Sequence, residues 1–232
     1  MKTKKFIHIH KIKSEANDKI TFIILCAKKS NRRGYKNVPL TIINNETVID
    51  KQINTINKNY SESDIIIVSG FEQEKLINHL HSKDYTNVRI AENQNYKMSS
   101  VLDGWRMGLN LALKQDTYII HGDRIFDESC IFQEECKNTH ILIHNVDKNN
   151  YDFGLSFDGD KFLNISYGLP NVWSEIFFIS KSDFSKVRRL INECVENKVY
   201  SIDSFINLLS TYINISIVQK KPKDVKPLKD LV

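Results

Sequence analysis

The amino-acid sequence predicts an α/β protein, a three-layer αβα sandwich with a mostly parallel central sheet. Short apolar runs rich in β-branched residues recur along the chain, and each is typical of a strand that is buried on both faces. Segments with apolar residues at helical spacing separate these runs. Because strands that alternate with helices form parallel sheets through right-handed crossovers, this order indicates a doubly wound core.

The elements follow one another in a regular order. Strands are predicted at Ile20–Ala27, Ser63–Gly70, Asn87–Ala91 and Thr117–His121, and helices at Glu46–Ile56, Glu72–His81 and Ser99–Lys114, the last capped by Ser99 or Ser100. Further along the chain, strands are predicted at His140–Val146, Phe153–Ser156, Ile176–Ile179 and Ile213–Gln219, and helices at Ser182–Asn197 and Ser201–Tyr212.

The composition favours one domain over residues 1–232, with an N-terminal extension at 1–19 and a basic C-terminal tail at 220–232. Only 8 Gly and 4 Pro occur, and no Ser/Gly-rich or Pro-rich stretch divides the chain, so no linker is predicted. With 232 residues and 41% hydrophobic content, the chain can bury most of its surface around one core.

Charge and cysteine usage restrict the partners and the compartment. The net charge of +5 is spread along the chain, and most of it is expected to solvate the surface, with attraction of a polyanionic ligand as a second use. Nucleic-acid binding is disfavoured because aromatic residues are not interleaved with the basic ones. The 4 cysteines lack metal-ligand spacing, which is typical of a reduced, cytoplasmic protein. No apolar run approaches the ~18 residues of a membrane span, so no membrane segment is expected.

Asp123 is the first candidate for chemistry. It follows the predicted strand Thr117–His121 directly, at the carboxyl edge where open α/β sheets bind ligands. Gly122 before it allows close approach of the backbone to a ligand, and a carboxylate in this place can hold Mg²⁺ against triphosphate oxygens. A turn or helix-capping aspartate is the alternative interpretation.

The second candidate is the basic loop Lys28–Lys36, which follows the first predicted strand. Its Arg32, Arg33 and Lys36 are suited to neutralising phosphate charge, although a solvated surface loop is the alternative. Other residues favour structural roles: His140 and His144 lack further zinc ligands, Trp105 and Trp173 are expected in the core, and Cys26 has no histidine base near it in sequence.

The chain resembles the nucleotidyltransferase superfamily with a GT-A-like fold over nearly its whole length. The matching segments, in the family's order, are I-L-C-A-K-K-S-N-R-R-G-Y-K-N-V-P-L (24–40), I-I-N-N-E-T-V-I-D (42–50), D-I-I-I-V-S-G-F (64–71), N-Q-N-Y-K-M-S-S (93–100), T-Y-I-I-H-G-D-R-I-F (117–126) and K-D-V-K-P-L-K-D-L (223–231). In the first of these, Lys28 and Ser30 stand where the family has loop glycines.

The resemblance implies a Mg²⁺-dependent transfer of NMP from an NTP to a phosphate-bearing or sugar acceptor, with release of pyrophosphate. It implies that Arg32, Arg33 and Lys36 contact the triphosphate, and that Asp123 holds the metal. The implied nucleotide-binding residues are Ala27, Lys28, Ser30, Asn95, Ser100 and Gly122.

The resemblance also aligns Lys226 with the family's second acidic metal position, which leaves Asp224 as the nearest carboxylate. Lys226 and the replaced loop glycines motivate a second hypothesis, a catalytically inactive binding or structural module with the same fold. A GT-A glycosyltransferase that uses a nucleotide sugar is a third hypothesis, although Asp158 and Asp160, which have D-x-D spacing, fall in a predicted turn. A homo-oligomer stays open.

Overall fold

The predicted alternation of strands and helices is present in the structure, a computed structural model that describes residues 19–29, 37–131, 138–145, 153–199, 201–221 and 224–227. Its strands are β1 (Thr21–Cys26), β2 (Ile42–Ile43), β3 (Glu46–Thr47), β4 (Asp64–Ser69), β5 (Val88–Glu92), β6 (Thr117–His121), β7 (Arg124–Phe126), β8 (His140–Asn145), β9 (Phe153–Asp158), β10 (Lys161–Tyr167), β11 (Asn171–Ile179), β12 (Ser216–Lys220) and β13 (Val225–Pro227). Its helices are α1 (Val48–Asn59), α2 (Gln73–Ser82), α3 (Val101–Leu111), α4 (Glu128–Ile131), α5 (Phe184–Glu196) and α6 (Ile202–Leu209), with a 3₁₀ turn at Val38–Leu40.

The central sheet has nine strands in the order β5-β4-β1-β6-β11-β8-β12-β10-β9. The first four strands are parallel, β12 is parallel to β8, and β10 and β11 run antiparallel to their neighbours. The predicted class, α/β with a mostly parallel central sheet, is therefore confirmed. β9, the last strand in this order, also pairs with β11, so this end of the sheet curves back toward its middle.

Helices cover both faces of the sheet and produce the three predicted layers. On one face, Ile23 of β1 belongs to a core with Trp105, Leu109 and Phe205, from α3 and α6. On the other face, Phe22 belongs to a core with residues of α1 and α2, such as Ile53 and Leu76. Successive side chains of β1 thus enter opposite cores, which explains why this strand is apolar throughout.

Three strands lie wholly or partly where the sequence predicted a helix, a tail or a shorter strand. The predicted helix at Glu46–Ile56 begins instead at Val48, after the hairpin β2–β3, whose turn residues Asn44 and Asn45 both have positive φ. The predicted basic tail contains β13, which pairs with β7. The strand predicted at Ile176–Ile179 begins earlier, at Asn171. The sequence indicated only its second part because a bulge between Trp173 and Phe177 interrupts the alternating pattern.

A side chain occupies backbone hydrogen-bonding groups on one side of β10. Beyond its single register pair with β12 at Lys161, β10 is paired with β9 on one side. On the other side, Asn207 of α6 accepts a hydrogen bond from the N–H of Ile165 and donates one to its C=O, at 2.9 and 3.1 Å. The amide of Asn207 therefore pairs with this strand as a neighbouring backbone would.

Both tryptophans are buried, as predicted, with Trp105 in contact with the rings of Phe177 and Phe205. Asp158 and Asp160 flank the β9–β10 turn at Gly159, as the sequence predicted. Among the described residues, no helix combines the length and the apolar composition that a membrane span requires.

Candidate functional site

A pocket of about 380 Å³ opens at the carboxyl edge of the sheet, where β1, β4 and β6 end. Its lining combines residues from the loops after these strands with the start of α3 and one residue of β11. The charged and polar members are Lys28, Lys29, Asn93, Ser99, Ser100, His121, Asp123 and Glu175. The described beginning of the basic loop and Asp123 thus line one cavity.

The turn that carries Asp123 is fixed against β1. The N–H of Gly122 donates to the C=O of Leu25 at 3.0 Å, and a Cβ on Gly122 would lie 2.7 Å from the same oxygen. This contact distance requires glycine here, because the obstacle is backbone. The Asp123 side chain keeps 44% of its surface exposed and lies at the pocket wall.

Beside Asp123, three charged or titratable side chains form one cluster. Oε2 of Glu175 is 2.8 Å from Nε of Arg124, also contacts Nη2 of Arg124, and is 2.9 Å from Nδ1 of His121. Burial raises the pKa of Glu175, but the charges and hydrogen bonds of His121 and Arg124 outweigh it and hold that pKa well below its usual range. Glu175 is therefore an anion, and Arg124 neutralises much of its charge.

His121, Asp123 and Glu175 are the group of potential metal ligands found within the described residues, with one ligand atom of each lying within 4.8 Å of the others. Mg²⁺ prefers oxygen ligands, and it is commonly held by one or two carboxylates together with substrate phosphates. The donor chemistry fits that mode: Asp123 offers a carboxylate to the pocket, whereas Glu175 already contacts Arg124 and His121. The imidazole nitrogen of His121 is a poor Mg²⁺ ligand.

Lys28 spans the pocket from the β1 side to the loop before α3. Its ammonium group donates to the C=O of Ser99 and lies 3.5 Å from the C=O of Tyr96. The neighbouring Lys29 places its Nζ 5.5 Å from the ring centroid of Phe71. Two cations therefore line the same pocket as Asp123.

The start of α3 forms another wall. Ser100 caps the helix by accepting a hydrogen bond from the N–H of Asp103, and the Asp103 carboxylate accepts one from the N–H of Ser100 in return. Asn93, which is 4% exposed, donates to Oγ of Ser99 at 2.8 Å and fixes the preceding loop. The predicted cap, Ser99 or Ser100, is resolved in favour of Ser100.

The structure brings together part of the predicted site. Ala27, Lys28, Ser100, Gly122 and Asp123 all line the pocket. Ser30, Arg32, Arg33 and Lys36 lie outside the described residues, so their roles stay predictions.

Asn95 and Asp224 lie elsewhere. Asn95 is exposed and is not among the residues that line the pocket. Its N–H donates a hydrogen bond to the side chain of Asn93. Asp224 lies in the turn before β13, where its carboxylate accepts from the N–H of Lys221 and its C=O from the N–H of Asp127. It is not among the pocket-lining residues or the metal-capable group found in the described part of the chain.

Sequence reasoning missed four contributors to this edge, namely Asn93, His121, Arg124 and Glu175. Asn93 and His121 sit at the ends of β5 and β6, so the rule that singled out Asp123 could have found them. Glu175 gives no such signal because it lies inside β11 with φ +58°.

Cys26, predicted to pack, is 5% exposed, and burial together with the charge of Asp123 raises the pKa of its thiol.

The fold, with its pocket at the carboxyl ends of the parallel strands, is the GT-A-like fold that solved nucleotidyltransferases share. The chain is similar to the CTP:phosphocholine cytidylyltransferase of Streptococcus pneumoniae, with a TM-score of 0.77 and 15% identity over 90% of this chain and 93% of that one. It is also similar to a nucleoside-diphosphate-sugar pyrophosphorylase of Vibrio cholerae (TM-score 0.70, 12% identity, 89% and 95% covered). A third similar structure is the inositol-1-phosphate CTP transferase of T. maritima (TM-score 0.64, 12% identity, 88% and 87% covered).

The predicted resemblance in fold is thereby confirmed. No protein-family model and no curated protein sequence matches the chain.

Proposed function

We propose that the protein is a nucleotidyltransferase that transfers NMP from an NTP to a phosphate-bearing or sugar acceptor. An acceptor oxygen attacks the α-phosphorus, the bond from that phosphorus to the oxygen bridging the β-phosphate breaks, and pyrophosphate leaves. The observation that carries the proposal is that Asp123 and the cations Lys28 and Lys29 line one pocket at the carboxyl edge of the sheet. The similar cytidylyltransferases, whose names give CTP with phosphocholine or inositol 1-phosphate, support this reaction class.

The chain's own part in this reaction is positioning and charge neutralisation. Lys28 and Lys29 attract the triphosphate, and the close packing of Gly122 on Leu25 holds the turn that carries Asp123. Asp123 and phosphate oxygens would hold Mg²⁺, which supplies further neutralisation of the charge on the leaving pyrophosphate. Arg32, Arg33 and Lys36 stay predicted as further phosphate contacts, and Asp224 as a second metal ligand stays a prediction without pocket contacts to support it.

The test combines each NTP with Mg²⁺ and a panel of phosphosugars, phosphocholine, inositol phosphate and sialic acids, and measures pyrophosphate. We expect release with one nucleotide and acceptor pair, and loss of release in Asp123→Asn. Silence across the panel, with no shift in melting temperature on adding any NTP, would contradict the proposal. The acceptor, the cytoplasmic location and the oligomeric state stay predictions.

One observation favours a second candidate, an inactive binding module. The Lys28 side chain lies across the pocket on the carbonyls of Tyr96 and Ser99, where the sequence lacks the family's loop glycines. A module would bind an NTP without turning it over, or not bind it at all. Isothermal titration with the NTP alone, compared with pyrophosphate release under the same conditions, distinguishes the two candidates.

A further inference from the structure

Gln52 is a buried polar residue on an apolar helix face. It lies in α1 between Ile49 and Ile53, both in the core, and is 1% exposed. A primary amide in such surroundings destabilises the fold unless its polar atoms find hydrogen-bond partners. The position of those partners therefore indicates what the residue does.

The partners of Gln52 are both in the turn that carries Asp123. Its Nε2 donates to the C=O of His121 at 3.1 Å and to the C=O of Arg124 at 2.7 Å. These two carbonyls flank Gly122 and Asp123, so one amide nitrogen ties together the two ends of the turn. Carbonyl oxygens only accept hydrogen bonds, which identifies the Gln52 atom between them as the NH₂ group.

The same turn is held from the other side by β1. The N–H of Gly122 bonds the C=O of Leu25, whereas Gln52 reaches the turn from α1. The two attachments use different atoms of the turn and come from different layers. Together they leave the Asp123 backbone little freedom, while its side chain remains partly exposed in the pocket.

We propose that Gln52 is a positioning residue that sets the direction of the Asp123 carboxylate. This inference rests on the proposed function, because it gives the Gly122–Asp123 turn a catalytic purpose. A group that aligns a ligand carboxylate contributes through geometry, and misplacement by about 1 Å can reduce a rate by roughly 10²-fold.

The informative variant is Gln52→Met. Methionine is close to glutamine in length, and it removes both donors. It also removes the buried Oε1 of Gln52, which has no hydrogen-bond partner among the described residues, so part of the stability lost with the donors is regained. The matched control is Gln115→Met. Gln115 also donates from Nε2, but its acceptor is Thr21 at the amino-terminal end of β1, away from the pocket.

Two measurements test the proposal. Hydrogen exchange of the Gly122, Asp123 and Arg124 amides should become roughly tenfold faster in Gln52→Met, with unchanged exchange in β4 and β5. Pyrophosphate release should show kcat lowered about 10- to 100-fold, with the KM for NTP within about threefold of wild type. Gln115→Met should change neither.

The outcomes separate the two proposals. Unchanged exchange at the turn, or a loss of melting temperature in Gln52→Met with normal kcat, would show that Gln52 only packs. If wild type releases no pyrophosphate with any pair, the proposed function fails, and the exchange measurement still decides whether Gln52 holds the turn.

Discussion

Glu175 of β11 and Arg124 of β7 form an ion pair in which both Nε and Nη2 of the guanidinium contact the same carboxylate oxygen. Arg124 also lies 3.5 Å from Oδ1 of its neighbour Asp123. Two carboxylates at the pocket wall thus share one cation. This arrangement reduces the repulsion between Asp123 and Glu175 and leaves Asp123 as the carboxylate available to a ligand.

Removing the charge of Asp123 should abolish most of the activity. We expect Asp123→Asn to lower kcat by about 10²–10³-fold, since the pocket loses the carboxylate suited to a metal. Melting curves should stay close to wild type because the side chain is 44% exposed. Steady-state pyrophosphate release measures the effect, and full activity in this variant would remove Asp123 from the mechanism.

Neutralising Glu175 should reduce stability in a pH-dependent way. We expect Glu175→Gln to lower the free energy of unfolding by about 2 kcal/mol at pH 7, because Arg124 loses the nearer of its two carboxylate partners. The pKa of Glu175 is lowered from 4.5 in the folded protein, so its stabilisation is present above that pH and is lost as the pH falls below it. Urea unfolding of both proteins should therefore show a difference that narrows below pH 4.5.

Substitution of Lys28 distinguishes an active nucleotidyltransferase from an inactive module whose pocket Lys28 blocks. In an active nucleotidyltransferase, Lys28→Met should raise the KM for NTP roughly tenfold, since a cation at the pocket is lost. Lys75→Met, on the exposed face of α2, serves as the control with no expected effect. Tighter NTP binding in Lys28→Met would instead indicate that Lys28 blocks the pocket, as the inactive-module candidate requires.

Two glycines near the pocket should respond oppositely to alanine. Gly122→Ala places a Cβ 2.7 Å from the Leu25 carbonyl, so we expect a loss of about 1–3 kcal/mol. Gly104→Ala meets its nearest neighbour, the end of the Leu25 side chain, at 3.4 Å, and alanine favours a helix by about 0.5–1 kcal/mol. Thermal unfolding should show a lower melting temperature for the first variant and an equal or higher one for the second.

His140 should make stability depend on pH between about 6.5 and 4. It is 1% exposed, stacks on Phe178, and donates from Nδ1 to the C=O of Asn138. Burial lowers the pKa of His140 from 6.5 to about 4; the Asn138 hydrogen bond opposes this and the charge of Lys220 adds to it.

Between these two pH values the unfolded chain binds a proton that the folded protein does not. Stability should therefore fall by about 3 kcal/mol as the pH is lowered from 6.5 to 4. We expect His140→Phe to be about 1 kcal/mol less stable than wild type at pH 7 and more stable at pH 4. Parallel unfolding curves for the two proteins at every pH would contradict this assignment.

The parallel strands β1, β4, β5 and β6 and the place of the pocket were predictable because they depend on local pattern and one topological rule. The apolar run of β1 and the turn after β6 identify the sheet edge, and parallel pairing places Lys28 and Asp123 there together. Glu175 was not predictable. Its bulge and positive φ interrupt the alternation in β11, so the sequence indicated only the second half of that strand.

Contacts between side chains and residues distant in sequence were also not predictable from the sequence pattern. Gln52 reads as a polar interruption of an apolar helix face, and nothing in the sequence around it indicates that it contacts residues about 70 positions away. The strand β13 carries a lysine and a proline in three residues, a composition that does not favour strand structure. It forms because β7 offers a pairing partner.

The amide of Asn207 affects how copies of this chain behave toward one another. A strand segment with open N–H and C=O groups is a template on which another polypeptide can add, which leads to aggregation. Because Asn207 occupies both groups of Ile165, the middle of β10 offers no such template, although its outward side chains Leu163 and Tyr167 are exposed. One polar side chain thus protects the middle of β10 against pairing with a strand of another molecule.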